Sequence, residues 1–287
     1  MKIRKAVIVA AGWGTRFLPI TRSQPKEMLP LVDKPIIQYA VEEAIASGIE
    51  HIILVTALGK RAVEDYFDRT FELEYILEQK GETKLLREMR ELSGLIDICY
   101  VRQKGQLGIG HAVLTARNVI DDEPFALFLP DDVVDSEVPL LKQLMAVYER
   151  YGGSVIAVER VSREDTAKYG IIEPEEISDR IYQVRRVVEK PKPDEAPSEL
   201  GVVGRYILMP EIFDVLASTP PGKNHEIQIT DGLQLLLKKQ AIYACELAGT
   251  RYDTGTPMGW LKATVSLALK HPVMGTEFKE FLREICR

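Results

Sequence analysis

The chain has 287 residues, 46% of them hydrophobic and 28% charged, and a formal net charge of −6. That composition suits a globular protein with a sizeable core and excludes a general nucleic-acid binder, whose surface is normally basic. No apolar run approaches the roughly 20 residues that cross a bilayer, and the first strand begins without a signal-peptide layout, so a cytoplasmic protein with no membrane partner is expected.

Lys5 to Pro30 reads KAVIVAAGWGTRFLPITRSQPKEMLP. Ala6 to Ala11 is a continuous apolar run bounded by glycine, which predicts a strand buried on both faces, as in a parallel sheet. Gly12-Trp13-Gly14-Thr15-Arg16 follows at once. A glycine-rich turn there lets backbone N–H groups approach a phosphate with no Cβ in the way. Arg16 offers a planar fork of donors and Lys26 a compact charge on a flexible stem. An acidic chain that binds phosphates must concentrate its cations, which gives this pair weight. A dinucleotide fingerprint would need a third glycine where Phe17 stands. A Walker loop would need Gly-Lys-Ser/Thr after the second glycine. Neither is present, and a plain strand-to-loop turn remains the bland alternative.

Pro35 to Gly48 predicts a helix, with Pro35 at its first position and Gly48 just past its end. Ile37, Ala40, Val41, Ala44 and Ile45 form its core face. Ile49 to Thr56 predicts the next buried strand, with His51 in a structural or surface role, and completes a right-handed βαβ unit. Residues 60–98 predict a solvated helical region striped by Leu85, Leu86, Met89 and Leu92. Ile96 to Arg102 predicts a strand that delivers Gln103 into a glycine loop. An amide both donates and accepts, so Gln103 can read a pyrimidine edge, and Gly108 and Gly110 permit close approach to a flat base. His111 opens the next helix and is expected to be satisfied by backbone.

Pro124 to Val134 predicts a buried strand ending in Asp131 and Asp132. Ligands of open α/β sheets bind outside the carboxyl ends of strands, and two acids there are costly to bury unless paired or bound to a cation. Magnesium suits one or two carboxylates with phosphate oxygens completing its shell; a helix cap or acidic turn is the alternative. Val138 to Arg150 predicts a helix and Ser154 to Val161 a strand. Tyr182 to Pro191 predicts a strand ending in Glu189 and Lys190. Adjacent strand residues point to opposite faces, so both serve one site only where the strand ends or bends, as Pro191 allows; otherwise they form an exposed ion pair. Val202 to Tyr206 is expected to lead into another strand, Glu226 to Asp231 to start a helix capped by Thr230 or Asp231, and Gly259 to Arg287 to be helical. Taken alone, Gly170 and Asp253 read as turn residues. Cys99, Cys245 and Cys286 match no zinc spacing or disulfide framework. No internal repeat appears, and Pro191–Pro197 is too short a linker to separate domains, so one domain is expected.

Together, GxGTRxLPxT, PKEMLPLVDKPIIQYAVEEA, QxxxxGxGHA, YGII, EKP and EIQITD span Lys5 to about Leu261. In this order they resemble the sugar-1-phosphate nucleotidyltransferases, and within them the bacterial members that act on UTP and glucose 1-phosphate. The resemblance implies an α/β fold, a Rossmann-like three-layer αβα domain with a mostly parallel (mixed) central sheet. Its nucleotide-binding part would cover about 1–135, its sugar-binding part about 136–258 and a C-terminal helical segment about 259–287. The implied reaction is Mg²⁺-dependent transfer of UMP from UTP to α-D-glucose 1-phosphate, giving UDP-glucose and pyrophosphate. Use of dTTP or another sugar 1-phosphate, or a catalytically silent nucleotide-sugar binder, are the alternatives. By the same resemblance, Ala10, Ala11, Gly12, Gly14, Thr15, Gln103 and Gly108 bind the nucleotide. Gly170, Glu189, Lys190 and Gly204 bind the sugar. Arg16, Lys26, Asp131 and Lys190 are catalytic, and Asp131 and Asp253 hold Mg²⁺. A homodimer or homotetramer is implied as well. The chain departs from the family at Trp13, where Leu is usual, at Arg22 in place of Lys, and at Gln106-Leu107 in place of Pro-Lys.

Overall fold

The computed structural model describes residues 1–222 and 225–286. Lys223 and Asn224, in the part expected to bind the sugar, and Arg287, the last residue of the expected C-terminal helical segment, lie outside the described residues.

A nine-stranded sheet organises the chain: β1 Lys5–Val9, β2 His51–Thr56, β3 Asp97–Arg102, β4 Phe125–Phe128, β5 Ser154–Arg160, β6 Gly170–Ser178, β7 Ile181–Glu189, β8 Leu200–Leu208 and β9 Ile242–Glu246. Its order is β3-β2-β1-β4-β8-β5-β9-β7-β6. From β3 to β4 every pairing is parallel, because a helix or helical region crosses over between consecutive strands. Beyond β4 antiparallel pairings dominate, β5–β9 excepted. The sheet is therefore mixed, and the mostly parallel arrangement holds only for its N-terminal half. The reason is local. β6 and β7 are joined by the two residues Asp179 and Arg180, a link that only antiparallel neighbours can make.

Alternation along the strands separates two cores. Val7, Ile53, Val55, Phe125 and Leu127 face one, together with α5 (Ile109–Thr115), α6 (Arg117–Ile120), α8 (Glu211–Ser218) and α9 (Ile229–Leu236). Ala6, Ile8, Ile52, Leu54, Ala126 and Phe128 face the other, against α1 (Ile36–Ala46) and α7 (Leu140–Tyr151). Strands covered on both faces read as continuous apolar runs, which is why β1, β2 and β4 were legible. Pro35 is the N-cap of α1, extended at ψ 156°, and Gly48 lies past its end at φ +87°. Residues 60–98 form α2 (Arg61–Phe67), α3 (Phe71–Gln79) and α4 (Thr83–Ser93). Most of this region is exposed, as expected, with a few buried side chains. Leu86 is buried, and so is Glu74, which is held between Arg69 and Arg90, with Arg90 Nε 2.9 Å away. Val202 to Tyr206 lies inside β8, a strand buried along its whole length.

A third, smaller cluster joins the N-terminal loop to the end of the chain. Phe17, Leu29, Leu31 and Val133 pack with Ala263 of α10 (Pro257–Lys270), and Trp260 Nε1 donates to the Pro30 carbonyl at 3.0 Å. Phe17, which occupies the third-glycine position of a dinucleotide loop, is thus an apolar anchor.

Among the described residues Arg205 is as deeply buried as any charge, with its side chain 1% exposed. Its guanidinium meets Glu43 of α1 at 2.8 Å and donates to the carbonyls of Leu129 (3.0 Å), Gly204 (2.9 Å) and Asp132 (2.9 Å). Removing one partner of a buried pair leaves the other charge uncompensated and costs about 3–5 kcal/mol. Arg205→Met is expected to lower the Tm by about 5–8 °C at the unfolding entropy usual for a chain of this size. Adding Glu43→Leu is expected to restore only part of the loss, since Leu141 N then loses its Glu43 acceptor and the Asp132 carbonyl its Arg205 donor; thermal melts of the single and double variants check both.

Candidate active site

The loop after β1 owes its shape to Gly14, whose φ of +69° lies in the left-handed region. A Cβ there would stand 3.1 Å from both Lys26 Cβ and Thr21 Cγ2. The Gly14 carbonyl accepts from Phe17 N at 3.0 Å and Thr21 Oγ1 at 2.8 Å, which closes the turn and presents Thr15 and Arg16 outward. Arg16 reaches across to the Gly255 carbonyl at 3.3 Å. Ala10 is fully buried and its N–H is bonded to Val55 O, so it shapes the floor beneath Ala11 and Gly12.

The two aspartates after β4 part ways. Asp132 turns inward, bound to Gly204 N at 2.7 Å and paired with Arg251. Asp131 turns into the cleft and meets Lys26 Nζ at 2.5 Å. Burial raises the Asp131 carboxyl, but the Lys26 ammonium outweighs it and holds the pKa below the usual value. For Lys26, burial pulls downward while Asp131 and then Glu27 pull upward, and the pKa ends above the ordinary lysine value. Both groups are charged at neutral pH. Asp253, at the end of the short strand Thr250–Asp253 paired with Asp132–Asp135, comes alongside. A Cβ at Gly255 would stand 2.6 Å from Asp131 Oδ2 and 3.0 Å from Asp253 Oδ1, so both carboxylates face the same glycine. Burial, then Asp132 and Asp131, raise the Asp253 carboxyl above its usual range, as expected where desolvation and like charges act together.

Gln103 is buried at the end of β3, its amide donating to Gly108 O at 3.2 Å and meeting His111 Nδ1 at 2.9 Å. His111 is thus engaged by a side chain, where a backbone partner was expected; the Gln103–His111 spacing of one strand-to-helix turn was the available signal. Gly108 is at φ +93°, and a Cβ on it would stand 2.7 Å from Ile227 O. Gln106 Nε2 donates to the Ala11 carbonyl at 2.5 Å and so ties this loop to the glycine turn.

β7 ends at Glu189, and Lys190 bends away at φ +44°, its N–H held by Tyr169 O at 3.0 Å. A non-glycine residue there costs about 1–2 kcal/mol. The bend lets two successive side chains face one region: Lys190 Nζ lies 2.8 Å from Glu189 Oε1. Glu189 Oε2 accepts from Thr230 Oγ1 at 2.7 Å. Thr230 therefore does not cap α9, and neither does Asp231; the N-cap is Gln228, without a side-chain cap. Gly170 pairs with Glu189 in register, and a Cβ on it would stand 2.5 Å from Thr230 Cγ2. Gly204 is buried in β8, where a Cβ would collide with Asp132 Oδ2 at 2.5 Å.

One cleft of about 540 Å³ unites these parts. Ala11, Gly12, Gly14, Thr15, Arg16, Lys26, Gln103, Gly108, Asp131 and Lys190 line it. Ala10, Gly170, Glu189, Gly204 and Asp253 stand behind or beside its walls. Sequence reasoning gave no site role to Gln106, Glu226, Gln228 or Gly255, which also line it; single loop residues carry no periodic signal. His51 is exposed, as expected. Among the described residues no helix is long and apolar enough to cross a membrane, and no group of three or more His, Cys, Asp or Glu is placed to hold a metal.

A family model described as Nucleotidyl transferase matches residues 5–269. A UTP–glucose-1-phosphate uridylyltransferase of Staphylococcus epidermidis is 51% identical over 284 residues, covering 99% of both chains. One of Bacillus subtilis is 51% identical over 286 residues, covering 100% of this chain and 96% of its own. Among solved structures, a UTP-bound UGPase from Acinetobacter baumannii has a TM-score of 0.92 at 41% identity, covering 99% of both chains. A UDP-glucose pyrophosphorylase complexed with UDP-glucose has a TM-score of 0.86 at 45% identity, covering 94% of this chain and 100% of its own. With the family matched over this much of its length, the chain belongs to the nucleotidyl transferase family.

Proposed function

We propose that the protein transfers UMP from UTP to α-D-glucose 1-phosphate, releasing pyrophosphate and UDP-glucose. The observation that carries this reading is the single cleft that gathers a glycine turn, three cations (Arg16, Lys26, Lys190) and an amide-bearing loop around Asp131. In the same reading the chain is one Rossmann-like three-layer domain, cytoplasmic, and assembled as a homodimer or homotetramer. Its nucleotide part is about 1–135 and its sugar part about 136–258, followed by the helical segment.

An oxygen of the sugar phosphate attacks the α-phosphorus of UTP in line. A new P–O bond forms, the bond to the β-phosphate oxygen breaks, and pyrophosphate leaves with the electron pair. The attacking phosphate is already ionised at neutral pH, so repulsion between two anions is the main obstacle, and the protein works by positioning and charge neutralisation. Gly12, Gly14 and Thr15 receive the triphosphate and Arg16 steadies the departing pyrophosphate. Lys26 offsets charge at the α-phosphate. Lys190 orients the sugar phosphate, while Glu189, with Gly170 and Gly204 shaping the wall, accepts hydrogen bonds from sugar hydroxyls. Gln103 and Gly108 take the uracil, with Ala10 and Ala11 beneath. Asp131 and Asp253 converge as hard oxygen donors beside Lys26, a set that fits Mg²⁺. When bound, the ion would neutralise phosphate charge. Lys26 Nζ on Asp131 is a cation on that carboxylate.

Pyrophosphate release with Mg²⁺, offering UTP or dTTP against a panel of sugar 1-phosphates, tests the reading. Release with UTP and glucose 1-phosphate above all other pairs supports it. A different preferred pair moves the substrate, and tight UDP-glucose binding without release by any pair overturns catalysis. Lys26→Ala is expected to lower kcat by about 10²–10³, measured as pyrophosphate release. Thr230→Val removes the donor to Glu189 and is expected to raise the KM for glucose 1-phosphate by about tenfold with the KM for UTP unchanged, read from paired steady-state titrations.

A further inference from the structure

Glu226 and Gln228 line the same cleft but have no part in the scheme above. Gln228 Nε2 donates to Glu226 Oε2 at 2.8 Å, which leaves Oε1 of that carboxylate outside the bond. The segment between them is zipped to the base-reading loop by two backbone bonds, Ile227 N to Leu107 O at 2.7 Å and Gly110 N to Ile227 O at 2.9 Å. Glu226 therefore has a fixed place. Its Cβ lies so close to Gly108 that a Cβ on the glycine would stand 2.9 Å away.

A carboxylate in a cleft for a triphosphate must face a part of the ligand that carries no negative charge and offers donors. The cations of the cleft, Arg16 and Lys26, mark the phosphate end, and Gln103 and Gly108 the base end. Glu226 packs on Gly108, at the base end. Apart from the uracil N3–H, which lies on the edge assigned to Gln103, the neutral donors of the nucleoside are the ribose hydroxyls, and an acidic side chain accepting from a ribose hydroxyl is how dinucleotide-binding folds meet the same chemical need. We propose that Glu226, oriented by Gln228, accepts hydrogen bonds from the ribose hydroxyls of the nucleoside triphosphate and makes the enzyme select ribonucleotides. This rests on the nucleotide placement proposed above.

The test pairs Glu226→Ala with UTP, 2′-deoxy-UTP and 3′-deoxy-UTP, comparing kcat/KM and, separately, the Kd of each nucleotide by calorimetry. A hydrogen bond to a charged group makes wild type prefer UTP over at least one deoxy analogue by about tenfold to a hundredfold. Glu226→Ala is expected to abolish that preference by lowering UTP use to the level of the analogue, with analogue use unchanged. If Glu226→Ala lowers analogue use too, the ratio is read on Glu226→Gln, whose weaker acceptor is expected to narrow it by at least fivefold. An unchanged ratio in both variants, or a raised KM for glucose 1-phosphate with an unchanged ratio, overturns the proposal. Wild-type turnover of UTP separates this failure from that of the functional reading, which fails if wild type releases no pyrophosphate at all.

Discussion

A guanidinium buried as deeply as that of Arg205 survives only if its donors are matched, because an unpaired charge in the interior is among the most expensive features a fold can contain. Here Glu43 supplies the counter-charge, and the carbonyls of Leu129, Gly204 and Asp132 take donors that remain. The consequence reaches the cleft. Leu129 and Asp132 flank the loop that carries Asp131, so holding both carbonyls fixes where that carboxylate points. Glu43 also accepts from Leu141 N at 3.1 Å, which brings the start of α7 into the same knot.

From that knot the site is assembled outward through charges that each have two neighbours. Asp132 is bound by Gly204 N and Arg251, and Arg251 reaches Glu159 and, at 2.9 Å, the Tyr169 hydroxyl. Tyr169 in turn holds the bend at Lys190 through its carbonyl. The Lys190 bend and the aspartate side of the cleft are therefore joined in one hydrogen-bonded network. Within the cleft, the pairing of Lys26 with Asp131 makes two partly buried charges tolerable.

Much of this was readable before any coordinates. β1, β2 and β4 were continuous apolar runs because helices cover both faces, and α1 was marked by Pro35 and Gly48. The glycine turn with Arg16 and Lys26, and Asp131 at a strand end, were legible as types of chemistry, since backbone approach, cations and acids have few interchangeable substitutes. The antiparallel half was harder. β8 reads as apolar whatever its direction, and pairing direction follows from connections such as the two-residue Asp179–Arg180 link.

The amino-acid sequence by itself determined the order of the elements, the apolar faces and the residue types suited to phosphate, because these follow from periodicity and side-chain chemistry. Tertiary structure alone decided that Asp132 turns inward to Gly204 N, that Thr230 answers Glu189 in place of capping α9, and that Glu226 reaches Gly108. Each of those contacts joins residues from 41 to 118 positions apart (189 to 230, 108 to 226), and no local pattern encodes a distance across the fold.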